Sequence, residues 1–386
     1  MSAAPMRKRA LQAGIVAAAE ALVFAWLVAF MRAERTGALL ALIAGGAALC
    51  GLLAWRSREA ALLYKAFRAA PRVAAAIALA MALAVPLAFH DSPYIIHIFV
   101  MAGIYAILAL GLNFQLGSTG VVNLATAATY GIGAYTSAIL SVRYGLPVWP
   151  GVLIGGSIAA LFGLILGFPC MRTKDYYLSL VTIAFGLIIY LLLNNLSWTG
   201  GPNGIPNIPP LSIGSHSFKD PIHVPGLQLP FQTNYYYLVM ALLAFAMFVA
   251  YRLHHSGTGL TWNAIREDEL AARCQGIDVT RYKILAFCID AFFGGVCGTV
   301  YAHYIGFISP DNFHFAVSII VVTMVIFGGL DNVAGVILGA FLLTVIPEKF
   351  RAFQDYRLVL YGAIVIALLV FRPQGLLPQK LRNYHG

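Results

Sequence analysis

Charge is what this chain of 386 residues has least of. Asp, Glu, Lys and Arg make up 10% of it, against roughly 25% in a globular protein. That shortage excludes an ordinary water-solvated surface. With 60% hydrophobic residues and a mean hydropathy of +0.82, the solvent it implies is lipid. Acidic residues are scarcer than basic ones, 15 against 25, for a net charge of +10. The basic residues sit in short loops between apolar runs, which excludes a nucleic-acid patch and matches the positive-inside pattern of membrane proteins. There are five cysteines, at 50, 170, 274, 288 and 297, without CxxC or Cys/His spacing. They offer neither a metal site nor a disulfide framework, and each reads as a small packing residue. No GxxxxGK[ST] loop occurs, so ATP is not bound by that route, and nothing resembles HExxH or GxSxG. The chain is not read as an enzyme. Among the few ionisable side chains within the apolar runs, Glu20 lies in the first run, and Asp290 and His303 in the ninth. The last two are about 220° apart around a helix and share no face; Asp290 reads as hydrogen-bonded structure. Ion-driven carriers ordinarily carry intramembrane acids or histidine relays, so the energy for any transport is expected to come from elsewhere.

What is present is a series of apolar runs at 11–31, 38–55, 73–89, 95–112, 121–142, 151–168, 178–193, 235–251, 284–305, 315–328, 333–346 and 357–371. A helix needs ~20 residues to cross the hydrocarbon, and several runs are shorter. Those at 121–142 and 315–346 are rich in Gly, Thr and Asn, which predicts half-helices or re-entrant turns there. The expected fold is all-α and polytopic, with ten to twelve spans, some short or broken. Arg7-Lys8-Arg9 precedes a first run too long for a signal peptide, so that run is read as a retained helix. With the N-terminus inside, segments 1–10, 56–72, 169–177, 252–283 and 372–386 carry 18 of the 25 Lys and Arg. Both termini and these loops are therefore expected in the cytoplasm.

The polar stretch Gly257–Lys283 stands out from this background. Thr261–Cys274 reads as one short helix ended by Gly276, with Arg266, Glu269 and Arg273 on one face and Ala264 and Ala271 on the other. At about fourteen residues it cannot cross a bilayer. It is either a solvated connector or a docking helix gripped by a soluble partner.

On the opposite side, the longest loop holds Thr199-Gly200-Gly201-Pro202-Asn203-Gly204, a density of Gly and Pro that makes turns. It is a passive connector or a surface for a partner. Between the two, Asn113, Gln115, Ser118, Thr119, Asn123, Thr126 and Thr129 crowd among glycines, and Gly328-Gly329-Leu330-Asp331-Asn332 has the same style. Such residues either pack helices or line a broken-helix path. Asn123, Thr126 and Tyr130 are the path candidates.

Several stretches carry a family pattern: GIGAYTSAIL (131–140), TKDYYLSLVTIAFGLII (173–189), TGGPNGI (199–205), NAIREDELAARCQGIDVTRYKILAF (263–287), YAHYIGFISPDNF (301–313) and YRLVLYGAIVIALLVFRPQGLL (356–377). By these the chain resembles the LivM-type permease subunits of ATP-binding-cassette importers for branched-chain amino acids. The resemblance implies a permease core at 94–386 with appended helices at 1–93. It also implies an ATPase-coupling loop at Arg266, Glu267, Asp268, Glu269, Ala271, Ala272 and Gly276, and a docking surface for the binding protein at Thr199–Gly204. The implied partners are a second related permease, two cytoplasmic ATPase subunits holding ATP and Mg, a periplasmic substrate-binding protein, and lipid; no cofactor belongs to this chain. The pattern departs from its relatives at Leu270, at Ala125-Thr126 and at Asp331-Asn332. Permeases for urea and short amides look similar, so that substrate class stays open. A carrier working alone is the reading from a different class.

Overall fold

The computed structural model describes residues 4–33, 37, 41–42, 45–46, 71–172, 176–214, 216–224, 227–349, 362, 366, 370 and 375–377. The apolar runs expected at 38–55 and 357–371, most of the basic loop 56–72 and the segment 378–386 lie almost wholly outside them. The described residues are nearly all helical. Helix α1 is Ala4–Arg32, α2 Pro71–Ala88, α3 Pro93–Asn113, α4 Thr126–Tyr144, α5 Val148–Arg172 and α6 Tyr176–Asn195. After a loop with short extended pieces come α7 Gln232–His254, α8 Gly257–Glu267, α9 Glu269–Cys274, α10 Val279–Ile305, α11 Phe315–Gly328 and α12 Val333–Lys349. Among the described residues seven helices are long and apolar enough to cross a membrane: α1, α3, α5, α6, α7, α10 and α11 with its short lead-in. This is a multi-pass membrane protein.

Two compact units are distinguished, residues 1–96 with 227–229, and the remainder from 97 onward. In the first, Arg32 closes α1 onto α2 by donating to the Ala88 carbonyl at 2.7 Å.

The second unit is built around α10. Helices α3 and α5 run antiparallel to it, and α4 runs parallel. Glycine explains how three helices fit on one. Along α5, Gly151, Gly155, Ala159, Gly163 and Gly167 recur every fourth residue and make one smooth ridge. A Cβ on Gly163 would meet Ala291 and the Phe287 carbonyl at 2.6 and 2.8 Å, and one on Gly155 would meet Thr299 at 2.5 Å. From the other side, a Cβ on Gly133 of α4 would strike the Gly295 backbone at 2.2 Å, and one on Gly298 the Tyr130 carbonyl at 1.9 Å. Lipid tails are as apolar as leucine, so helices here gain little from the hydrophobic effect and rely on such close contact.

The run 121–142 is not one continuous span. Helix α3 ends in a π-helical turn, Phe114–Thr119, and Gly120 then adopts φ 71°. Residues 120–125 run irregularly, and α4 starts only at Thr126. The second polar stretch is broken likewise, at 329–332 between α11 and α12, with Asp331 at φ 63°.

Candidate functional site

Three places singled out by sequence lie along α10: beside its first turn, near its middle, and beside its last turn.

At the first turn is the polar stretch Gly257–Lys283. It folds as two helices rather than one Thr261–Cys274 helix, because Asp268 caps a new start. Its φ is −156°, and its Oδ1 accepts from the amides of Leu270 and Ala271 at 2.9 and 3.0 Å. A carboxylate that satisfies the free amides of a first turn competes with continuation of the previous helix. The expected shared face is lost with the single helix. Arg266 lies in the last turn of α8, whereas Glu269 and Arg273 belong to α9 and pair at 2.7 Å. The alanine face goes too: Ala264 is half-buried on α8, Ala271 is exposed on α9, and the buried alanine is Ala272. Gly276 does stop the helix, at φ 81°. The Gly276 amide donates to Arg273 and the Ile277 amide to Ala272, which closes the last turn.

This hairpin is anchored on one side and open on the other. Trp262 is fully buried; its indole N–H donates to the Tyr282 carbonyl at 2.9 Å and its ring lies 5.9 Å from Phe114 in the π-helical turn. Lys283 of α10 reaches back to Glu269 at 2.5 Å. Partial burial tends to raise the Glu269 carboxyl, but Lys283 and then Arg273 outweigh it, so it lies below its ordinary value of 4.5. A depressed carboxylate stabilises the fold above the ordinary glutamate range and loses that contribution as pH falls below it. Glu269→Gln should therefore remove the acid-side dependence of hairpin stability, read by hydrogen exchange of residues 269–276 between pH 7 and pH 4. An unchanged pH profile would mean that Glu269 ties nothing. Away from the anchor, Leu270 is 72% exposed and flanked by exposed Glu267, Asp268, Ala271 and Arg273.

Near the middle of α10 is the break before α4. Asn123 donates to Asp290 Oδ2 at 2.9 Å, while its own carbonyl oxygen accepts from the Ala125 amide at 2.8 Å. Other helices complete the start of α4. Thr182 of α6 accepts from the Leu124 amide, and Ser318 of α11 accepts from the Ala127 amide. Asn123, Thr126, Tyr130 and Asp290 are all buried, yet Val122, next to Asn123 in the chain, is 36% exposed. Asp290 Oδ1, Thr126 Oγ1 and Gln115 Oε1 are buried with no hydrogen-bond partner among the described residues. The sequence reading treated Asp290 as structural and missed that it meets Asn123. Lower down, Ser118 donates to Asp331 at 2.6 Å and the Asp331 amide donates to Asn113, so the two broken stretches are joined.

At the far end, Thr199–Gly204 forms two 3-10 turns, with Gly200, Gly201 and Gly204 all at positive φ. Thr199 is buried, its hydroxyl donating to the Leu193 carbonyl at 2.8 Å, and Pro202 and Asn203 are exposed. Ile205 pairs with Ile308 just beyond α10. Two more contacts fix the chain that follows this loop: His303 Nδ1 lies 2.6 Å from the Pro209 carbonyl, and the Leu211 amide donates to the Tyr235 hydroxyl at 3.2 Å. Asn123 thus leads into α4, on which Thr126 and Tyr130 lie one turn apart, while the hairpin and this loop occupy the other two places along α10.

The sequence pattern of the family described as "Branched-chain amino acid transport system / permease component" matches residues 94–369. The chain belongs to that family. The permease is 40% identical over 306 residues to the high-affinity branched-chain amino acid transport system permease protein LivM of Escherichia coli K12, covering 75% of this chain and 72% of that one. It is likewise 40% identical over 296 residues to LivM of Salmonella typhimurium, covering 73% and 70%. LivH of Escherichia coli K12 is 26% identical over 290 residues, covering 71% and 91%. No solved structure matches the permease.

Proposed function

We propose that the permease is the membrane-spanning subunit of an ATP-driven importer that moves branched-chain amino acids across the bacterial inner membrane. The observation that carries this reading is 40% identity along most of the chain to proteins named for that transport. It works beside a second related permease, of the LivH kind, with two ATPase subunits that hold ATP and Mg in the cytoplasm and a periplasmic binding protein that delivers substrate. It crosses the membrane ten to twelve times with both termini inside, and its first 93 residues are helices added to the core.

In this reading the α8–α9 hairpin is the coupling element. A conformational cycle powered from outside the chain needs a mechanical contact, and an exposed leucine in a polar rim has the make-up of an interface anchor. The residues around it, Arg266, Glu267, Asp268, Glu269, Ala271, Ala272 and Gly276, supply its charge and shape. The path passes Asn123, Thr126 and Tyr130. Asp290 is the twelfth of 27 residues in α10, a helix about 40 Å long, so the break beside it lies at membrane depth. Irregular backbone there is tolerated where it faces protein or water, not lipid, and Val122 is open. The loop Thr199–Gly204 receives the binding protein.

The test is reconstitution of the permease with these four partners in vesicles. ATP-dependent uptake of labelled leucine, exceeding that of labelled urea at least tenfold, is expected; uptake of urea alone moves the substrate class, and uptake without any ATPase rejects the reading. In the same vesicles, single cysteines at Lys219 and Arg273 should label from opposite sides.

A further inference from the structure

A short segment between α10 and α11 has features that the functional reading does not use. Pro310–Phe313 is one 3-10 turn, held by a reciprocal cap in which Ser309 and Asn312 bond each other's side chain and backbone. Asn312 also donates to the Tyr301 hydroxyl at 2.9 Å, and Tyr190 donates to Asp311 at 3.0 Å near the surface. The turn drives Phe313 inward until it is 3% exposed. Its ring lies among Tyr130 at 5.1 Å, Tyr135 at 5.9 Å and Tyr301 at 6.1 Å. Gly131 makes the room, since a Cβ there would meet Phe313 at 3.1 Å.

The polar atoms around this aromatic layer are the second observation. Thr126 Oγ1, one helical turn before Tyr130, and the Tyr135 hydroxyl, more than a turn after it, are both buried without a partner among the described residues. Buried polar groups are nearly always bonded. Unmet hydroxyls within and beside an aromatic layer are what a wettable route interrupted by a plug would leave.

The third observation is a handle. Ile205 and Ile308 exchange backbone hydrogen bonds at 2.9 and 3.2 Å. Gly204, at φ 69°, sits so close that a Cβ would meet the Ile308 carbonyl at 1.9 Å and Ser309 at 2.9 Å. The loop Thr199–Gly204 is thus locked to a strand five residues from Phe313.

We infer that Phe313 is the outer plug of the translocation path and that Thr199–Gly204 is the handle by which a docked binding protein withdraws it. The inference rests on the reading of that loop as the docking surface. Docking moves Ile205; the bridge moves Ile308; the capped turn carries the shift to Phe313, breaking the polar bonds at Asp311 and Asn312 and parting its ring from Tyr130, Tyr135 and Tyr301. Phe313 does not recognise the substrate. It keeps the path shut until delivery, and Asn312 positions it.

The test uses the complete importer in vesicles preloaded with labelled leucine or labelled urea, without ATP or binding protein. Wild type should retain its load. Phe313→Ala should leak at least tenfold faster, Phe313→Leu should stay tight, and Asn312→Ala, which removes the tether without emptying the core, should leak as well. Loss of packing alone would lower the assembled yield of Phe313→Ala and would not make assembled Asn312→Ala leak. If Phe313→Ala fails to assemble, the leak of Asn312→Ala decides. A tight, assembled Asn312→Ala together with a tight or unassembled Phe313→Ala overturns the plug. For the handle, Ile308→Pro removes one bridge bond and should still bind the binding protein in pull-down while losing uptake at least tenfold; full uptake overturns it. Failure of the docking reading looks different: binding protein that docks equally well on Gly201→Trp, with the leak of Phe313→Ala intact.

Discussion

Replacing Gly295 with leucine is expected to leave no folded permease in the membrane. A Cβ at this position would meet Ala159 at 2.5 Å, the Gly155 carbonyl at 2.7 Å and Gly156 at 2.9 Å, all on α5. On its other flank, the Gly295 backbone is the floor against which Gly133 of α4 rests. The obstruction is the α5 backbone and a methyl fixed to it, and α4 already rests on the same residue, so no flexible side chain can swing away. Overpacking ordinarily costs about 1–3 kcal/mol when neighbours can give; against backbone that cannot give, the cost should exceed about 4 kcal/mol. That is a large share of the ~5–15 kcal/mol by which proteins are stable. The measurement is the yield of monodisperse protein in detergent, with Gly14→Leu as the control, since nothing lies within 4 Å of a Cβ there. Wild-type yield of Gly295→Leu would show that the three-helix seam is not what holds the core.

The second large effect should come from a residue that contributes little to folding. Leu270→Asp is expected to lower the affinity of the permease for its ATPase at least about thirtyfold, the equivalent of a 2 kcal/mol hot spot, and to abolish uptake. Ala271→Trp, on the same exposed surface, should uncouple while leaving the protein inserted. The melting temperature should hardly move, because Leu270 is 72% exposed and α9 is fixed by Asp268, Gly276 and Lys283. Arg273→Ala should be mild by comparison, since an exposed helical ion pair is worth ~0.3–0.5 kcal/mol. Co-purification and coupled uptake, measured together, read both effects. ATPase binding that survives Leu270→Asp with wild-type uptake would return the hairpin to a solvated connector.

What could be read from sequence divides by range. Composition and apolar runs announced a helical membrane protein, because lipid leaves the backbone only helices or closed barrels, and unbroken apolar runs of this length suit the helix. The turns at Gly200, Gly201 and Gly204 were legible because only glycine takes positive φ without strain. The break at Asp268 was not: every residue from Thr261 to Cys274 tolerates a helix, and only an N-cap bond formed in three dimensions decides against one. The meeting of Asn123 with Asp290 spans 167 residues and exists only once α4 lies along α10. The ridge of Gly151, Gly155, Ala159, Gly163 and Gly167 was different, being plainly written at four-residue spacing and passed over for a more polar stretch. Leu270 looked like a departure from a family pattern and turns out to be the most exposed large apolar side chain of the hairpin.

That ridge and its partner also set an order of events during synthesis. The clefts of α3, α4 and α5 are shaped for α10, whose last residue, Ile305, follows the end of α5 by more than a hundred positions. At ~5–20 residues per second, roughly 7 to 27 s separate them at the ribosome. For that interval Asn123 has no Asp290 and Ser137 has no His303, the side chain that it meets at 2.7 Å in the finished protein. A newborn α4 must therefore wait beside the insertion machinery with its glycines uncovered, and the late arrival of one helix converts a loose sheaf into a closed bundle.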